Sequence, residues 1–291
     1  MLVTMKEILE DAREKKYGVG AFNTPNLEAV QAVITAAEEV GAPVILQHAE
    51  VHNDLISIEE IGPIMIDYAK RATVPVAVHL DHGASYEMCV KAIRQGFTSV
   101  MYDASSKDYE TNLKETSEIV KIAHAADVTV EAELGHIFTS AIGNGEGSVA
   151  DSVDDYENLD DIYTDPDSAK AFVAATGVDC LAIAFGTCHG VYVKEPVLDL
   201  DRITAIKKKV DIPFVMHGGS GVSEENYKIA IQNGICKINY FTYMSRAGGE
   251  AVRDYIQTLD AEQPAFFDQI AVLASEAMKK DVKRAIEIFK G

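Results

Sequence analysis

The sequence predicts an α/β protein folded as a single (β/α)8 TIM barrel over residues 1–291, with extra N- and C-terminal helices. Three observations carry that expectation. Short apolar runs alternate with stretches of helical period along the whole chain. No linker interrupts the alternation. Acids, imidazoles and amides stand at the ends of the apolar runs, where barrels of this kind keep their active sites. A doubly wound open sheet is the rival architecture, and the strand count and polar tips favour the barrel.

Residues 5–16 carry Met5, Ile8, Leu9 and Ala12 at the spacing of an amphipathic opening helix. A first strand over 18–22 ends at Asn23, and Pro25 and Asn26 precede a helix over 27–40 closed by Gly41. The second strand, 43–47, is tipped by His48 and followed by a helix over 58–70. Then comes Val76-Ala77-Val78-His79-Leu80-Asp81-His82-Gly83, an apolar strand ending in an acid, an imidazole and a glycine. Polar groups there must be hydrogen-bonded, metal-bound or open to a polar pocket. A helix over 86–94, a strand over 99–103, a helix over 109–126 and a strand over 128–134 continue the pattern.

Residues 135–165 break it with Gly143, Gly145, Gly147 and many acids; loops this long are lids, binding loops or disordered segments. A solvated loop is the plain reading of that acidic run. The alternation resumes with helix 166–176, strand 180–184, helix 200–208, strand 212–216, helix 224–233 and strand 235–239. Helices over 245–258 and 266–289 finish the chain.

An apolar fraction of 47% supplies a sizeable core. The first residues have neither the layout of a signal peptide nor a bilayer-spanning run, so a cytoplasmic protein is expected. A net charge of −20 argues against nucleic acid or anionic membranes as partners. Cys89, Cys180, Cys188 and Cys236 lack CxxC spacing and read as reduced core thiols; Cys188 stands apart because it precedes His189.

His82, His189 and His217 each follow an apolar run and precede glycine. Three such imidazoles match a catalytic zinc site with an open fourth position. Asp81 cannot readily share the direction of His82 in a strand, which leaves it as an acid or base beside the metal, or as an orienter of a histidine. Gly190, Gly218, Gly219 and Gly221 expose backbone amides at the mouth, with hydroxyls from Ser220 and Thr242. The loops after the seventh and eighth strands are the common phosphate site of such barrels, and tight turns without a ligand are the alternative. His79 reads as a core histidine and His124 as a surface one, while His52 and His136 remain open. Lys237 suggests Schiff-base chemistry, but it sits mid-strand beside a histidine set that such chemistry does not need.

The runs 79–83 (His-Leu-Asp-His-Gly), 131–135 (Glu-Ala-Glu-Leu-Gly), 186–192 (Gly-Thr-Cys-His-Gly-Val-Tyr), 217–221 (His-Gly-Gly-Ser-Gly) and 237–239 (Lys-Ile-Asn) resemble the class II, zinc-dependent fructose-bisphosphate and tagatose-bisphosphate aldolases. The likeness spans nearly the whole chain in order. It implies reversible cleavage of a ketose phosphate into dihydroxyacetone phosphate and an aldehyde, by a homodimer or homotetramer. It further implies that His82, His189 and His217 bind zinc, Asp81 shuttles the C4 hydroxyl proton and Asn239 contacts the enediolate. Asp103 and Glu133 match residues near an alternative or second metal position. Glu146 is the nearest match to a loop acid that exchanges the donor-carbon proton. Gly190, Gly218, Ser220 and Thr242 match contacts to phosphate or to a monovalent cation, and Asn23, Ala49, Lys194, Gly219 and Phe241 complete the expected substrate-binding set.

Three departures bear on substrate. The family usually reads Asn-Val-Asp-Thr or Asn-Val-Ala-Thr where this chain has Asn239-Tyr240-Phe241-Thr242. A serine or threonine is usual at Ala49, and the lysine that often follows the tyrosine is displaced to Lys194. These changes predict a modified ketose, with an unphosphorylated dihydroxyacetone end or a sulfonate at the far end as in sulfofructose, rather than fructose 1,6-bisphosphate. A non-catalytic sugar-phosphate-binding barrel is the rival from another class, and a metal-dependent hydrolase the enzymatic one.

Overall fold

A computed structural model describes residues 1–142, 150–260 and 262–291. Its strands, in chain order, are β1 (Val19–Asn23), β2 (Val44–Ala49), β3 (Val76–Gly83), β4 (Ser99–Tyr102), β5 (Thr129–Leu134), β6 (Phe138–Thr139), β7 (Cys180–Ile183), β8 (Cys188–His189), β9 (Phe214–Met216) and β10 (Ile235–Tyr240). All but β6 and β8 hydrogen-bond into a closed parallel barrel in the order β1-β10-β9-β7-β5-β4-β3-β2. Closure rests on β1 against β10, with Val19 opposite Lys237 and Ala21 opposite Asn239. The open-sheet alternative is thereby excluded.

The helices are α1 (Met5–Lys15), α2 (Leu27–Val40), α3 (Ile58–Arg71), α4 (Tyr86–Gln95), α5 (Tyr109–His124), α6 (Pro166–Thr176), α7 (Leu200–Lys207), α8 (Glu224–Asn233), α9 (Thr242–Thr258) and α10 (Phe267–Lys290). Their starts follow from local chemistry. Thr4 and Glu7 form a capping box on α1, and Asn26, Ser85, Asp108, Asp165 and Ser223 each accept a first-turn N–H of the helix they precede. Among the described residues no helix is long and apolar enough to cross a membrane.

Two apolar layers result from the alternation of side chains along each strand. Outward residues such as Val44, Leu46, Val78 and Leu80 pack under the helices. Inward residues near the amino ends of the strands, including Val19, Ala21, Ile45, Ala77, Ala182 and Val215, meet Met5, Ile8, Leu9 and Ala12 of α1. Helix α1 therefore closes the barrel from below, and the polar inward positions are left for the carboxyl end.

The predicted elements fall within a few residues of the observed ones, with two instructive differences. The sixth predicted strand stops at Ile183, and His189 is held instead in the two-residue ladder of β6 and β8, Thr139 opposite His189. Helix α9 begins at Thr242 rather than 245, because Phe241, Thr242 and Tyr243 turn into the helix directly from β10.

Candidate active site

The strand β3 ends in a kink that decides where its polar residues go. His82 has a φ of +46°, and the pairing with β4 shifts register between Leu80 and Gly83. A side chain at Gly83 would run into the Met101 carbonyl oxygen, its Cβ only 2.6 Å away, so only glycine lets β3 lie this close to β4 there. The kink breaks the strict in-and-out alternation, and Asp81 and His82 both reach the mouth of the barrel.

Asp81 is fully buried and surrounded by amides. Its Oδ2 accepts from Asn23 Nδ2 and Gln47 Nε2, each at 3.0 Å, and its Oδ1 accepts from Asn239 Nδ2 at 3.0 Å. Burial pushes the carboxyl up, but His82 and Lys237 outweigh it and hold Asp81 well below the usual carboxylate range.

His82, His189 and His217 come together although their positions span much of the chain. One ring nitrogen of each lies within 4.8 Å of the others'. The ring centroids are 4.5 Å apart for His82 and His217, 5.1 Å for His82 and His189, and 5.9 Å for His189 and His217. His82 Nδ1 donates to Asp103 Oδ2 at 2.7 Å, and His217 Nε2 donates to Glu131 Oε1 at 2.8 Å. Each carboxylate fixes a tautomer, which turns His82 Nε2 and His217 Nδ1 toward each other at 2.9 Å. Carboxylate-oriented imidazoles with converging nitrogens are the donor set that suits zinc or a similar ion, so these residues fit a metal. Burial, then the neighbouring imidazoles, holds His189 well below the ordinary histidine range, and burial with His82 lowers His217; both stay neutral as ligands must.

A second group, His82, Asp103 and Glu133, also lies within 4.8 Å. Burial and the Asp103 charge raise Glu133 well above the carboxylate range, while the hydrogen bond from His82 overrides burial to lower Asp103.

A cleft beside the imidazoles is lined by Asn23, His189, Gly190, Gly218 to Ser220 and Asn239 to Thr242. Gly218 has a φ of +61°, and a Cβ there would lie 2.6 Å from the Cys188 backbone. Tyr192 straps the two loops together: its hydroxyl accepts from the Cys188 N–H at 2.9 Å and donates to the Gly218 carbonyl at 2.8 Å. The start of α9 faces this cleft with no side-chain cap and no acid in its first turn, which leaves its leading N–H groups for an anion.

Residues 3–291 match the family described as fructose-bisphosphate aldolase class-II. The chain belongs to that family. It is 41% identical to fructose-bisphosphate aldolase of Thermus caldophilus, over 99% of this chain and 98% of that one. It is 40% identical to fructose-bisphosphate aldolase of Staphylococcus aureus (strain N315), over 99% and 97% of the two chains. Among solved structures, the YdjI aldolase from Escherichia coli K12 superposes with a TM-score of 0.85 at 36% identity, covering 99% of this chain and 97% of that one. The protein is thus a class II aldolase, a carbon–carbon lyase of a metal-dependent family.

Within that family frame, the barrel gathers Asn23, Asp81, His82, Asp103, Glu133, His189, His217 and Asn239 at one mouth. Ala49 pairs with Asp81 across β2 and β3 and is fully buried. Lys194 is not drawn in: its side chain is 84% exposed and its ammonium stands 3.7 Å from Asp154. Glu146 lies outside the described residues. His79 is buried against Ser99, and His124 is a surface partner of Asp179. His136 pairs with Asp151, and His52 is buried against Phe241 with ring centroids 4.8 Å apart. Cys188 is no candidate nucleophile, since burial pushes its thiol up to about 11.

Sequence reading passed over Gln47, Glu131 and Tyr192. Gln47 and Glu131 were findable, because each lies two residues from a noted tip residue, Ala49 or Glu133, and so faces the same way. Tyr192 closes the run 186–192, but its role depends on two loops meeting, which no local pattern records.

Proposed function

We propose that this aldolase cleaves a ketose phosphate reversibly between C3 and C4, with a divalent metal held by His82, His189 and His217 and with Asp81 as the acid and base. The observation that supports this most strongly is the convergence of three imidazoles, those of His82 and His217 oriented by carboxylates, beside an ionised, amide-bound aspartate. Zinc on those imidazoles supplies a Lewis acid for the substrate ketone. Asp81 takes the C4 hydroxyl proton as the C3–C4 bond breaks, the aldehyde departs, and the bonding electrons remain on the donor half as an enediolate. Asn239, already bonded to Asp81, is placed to turn its amide toward that developing charge. Gly190, Gly218, Gly219, Ser220 and Thr242 hold the donor phosphate, or a monovalent cation beside it, at the α9 terminus. Glu146 is the proposed donor-carbon acid. We assign a homodimer or homotetramer, which sedimentation equilibrium reads directly.

The test is a panel of phosphorylated and unphosphorylated ketoses, assayed with zinc and with chelator, followed by identification of both fragments. Metal-dependent release of a three-carbon ketone and an aldehyde supports the reading. Full activity without metal, substrate trapped on a lysine by borohydride, or hydrolysis products would refute it.

A second reading concerns the anionic ends of the substrate. Phe241 lines the cleft and packs on buried His52, and Ala49 brings no hydroxyl to the mouth. Each missing hydrogen bond to a charged group costs about 1.5–3 kcal/mol, enough to change preference about tenfold. These positions favour a modified ketose, one with an unphosphorylated donor end or a sulfonate at the far end. A higher specificity constant for fructose or tagatose 1,6-bisphosphate than for every other ketose of the panel would reject it.

A further inference from the structure

Lys237 is a lysine with none of its side chain in water. Its Nζ lies 2.9 Å from Glu131 Oε2, 3.2 Å from Glu131 Oε1 and 2.7 Å from Asn239 Oδ1. Both partners lead to the site. Glu131 accepts the Nε2–H of His217 at 2.8 Å, and Asn239 donates through Nδ2 to Asp81 at 3.0 Å.

An ammonium only donates, so the atom of Asn239 that faces Lys237 must be the amide oxygen. The amide nitrogen is then turned onto Asp81. The same ammonium donates to Glu131 Oε2 at 2.9 Å, which leaves Oε1 to accept from His217 Nε2 at 2.8 Å; His217 then carries its proton on Nε2 and leaves Nδ1 for the ligand face.

We propose that Lys237 is a positioning residue that sets, from one buried charge, both the tautomer of a metal-binding histidine and the orientation of the amide holding the acid–base carboxylate. Its ammonium is held on one side by Glu131 and on the other by Asn239, and it acts on the site through them. The inference rests on the function proposed above.

Lys237→Met removes the charge and keeps the length, and Lys237→Met with Glu131→Gln removes the charge left behind while keeping an oxygen for His217. Zinc affinity, read by competition with a chromogenic chelator, needs no turnover. The single variant is expected to bind zinc at least ~10-fold more weakly. The double variant is expected to recover zinc binding to about threefold of the parent, yet to keep a kcat at least ~10-fold low with KM unchanged, because Asn239 is no longer held. If the single variant does not fold, the double variant decides alone. A double variant that recovers both zinc binding and kcat, or neither, overturns the inference, as does a single variant with parental zinc affinity. Failure of the function itself looks different: the unmodified protein binds zinc and cleaves no ketose phosphate, and the zinc measurements then decide the role of Lys237.

Discussion

Three side-chain amides spend their donors on the Asp81 carboxylate, so its ionised form is stabilised before any substrate arrives. Replacing it with asparagine keeps the shape and removes the proton acceptor. Asp81→Asn should lower kcat by about 10²–10⁴ with zinc content unchanged, measured by steady-state kinetics and metal analysis; a loss below threefold would move the base elsewhere. His52 makes a separate statement about pH. Burial pushes its imidazole down from 6.5 to about 4, whereas in the unfolded chain it takes up a proton near 6.5. The neutral ring therefore contributes stability above pH 6.5 that is lost as pH falls toward 4. The urea midpoint of the parent should drop more steeply between pH 7 and 5 than that of His52→Leu. Taking the difference between the two cancels buried acids such as Glu133, whose raised carboxyl works in the opposite direction.

At the scale of an element, α1 is a plug whose cost of removal can be read. Leu9 is 1% exposed among inward strand residues, so Leu9→Ala should destabilise by about 2–5 kcal/mol in urea unfolding while kcat in the absence of denaturant stays at the parental value. The spacing of Met5, Ile8, Leu9 and Ala12 made this helix legible, as the apolar runs did for the barrel strands, because period and burial coincide there. His82 was legible as an imidazole at a strand tip, but its left-handed backbone was not: the register shift arises from β4 lying alongside, which no local pattern records. The short β6 and β8 ladder was equally hidden, since two residues carry no period. The site was thus readable as a set of residue types at strand tips, and unreadable in its second layer, where Glu131, Gln47 and Lys237 acquire meaning only once the ring of strands closes.

For the whole molecule, a bound metal must also stabilise the fold, since the three imidazoles converge only in the native barrel. Zinc at a hundredfold excess over Kd should raise stability by about 2.7 kcal/mol, seen as an increase in Tm that chelator reverses and His189→Ala abolishes. A Tm insensitive to zinc in the parent would count against the site. The net charge of −20 sets the wider field, repelling a phosphate ester at long range. Added salt should therefore lower KM for phosphorylated ketoses by screening.

The seam of the barrel joins Val19 to Lys237, and Gly18 N–H donates to the carbonyl of Phe289 at 2.8 Å, while the Phe289 ring packs on Tyr227 and Tyr240. During translation the first strand must consequently wait, one edge unpaired, until more than two hundred residues have followed it from the ribosome. Parallel pairings of such long range fold slowly and expose strand edges meanwhile. The same seam that brings Lys237 onto Asn239 thus leaves the site without its last wall until β10 has emerged and paired with β1.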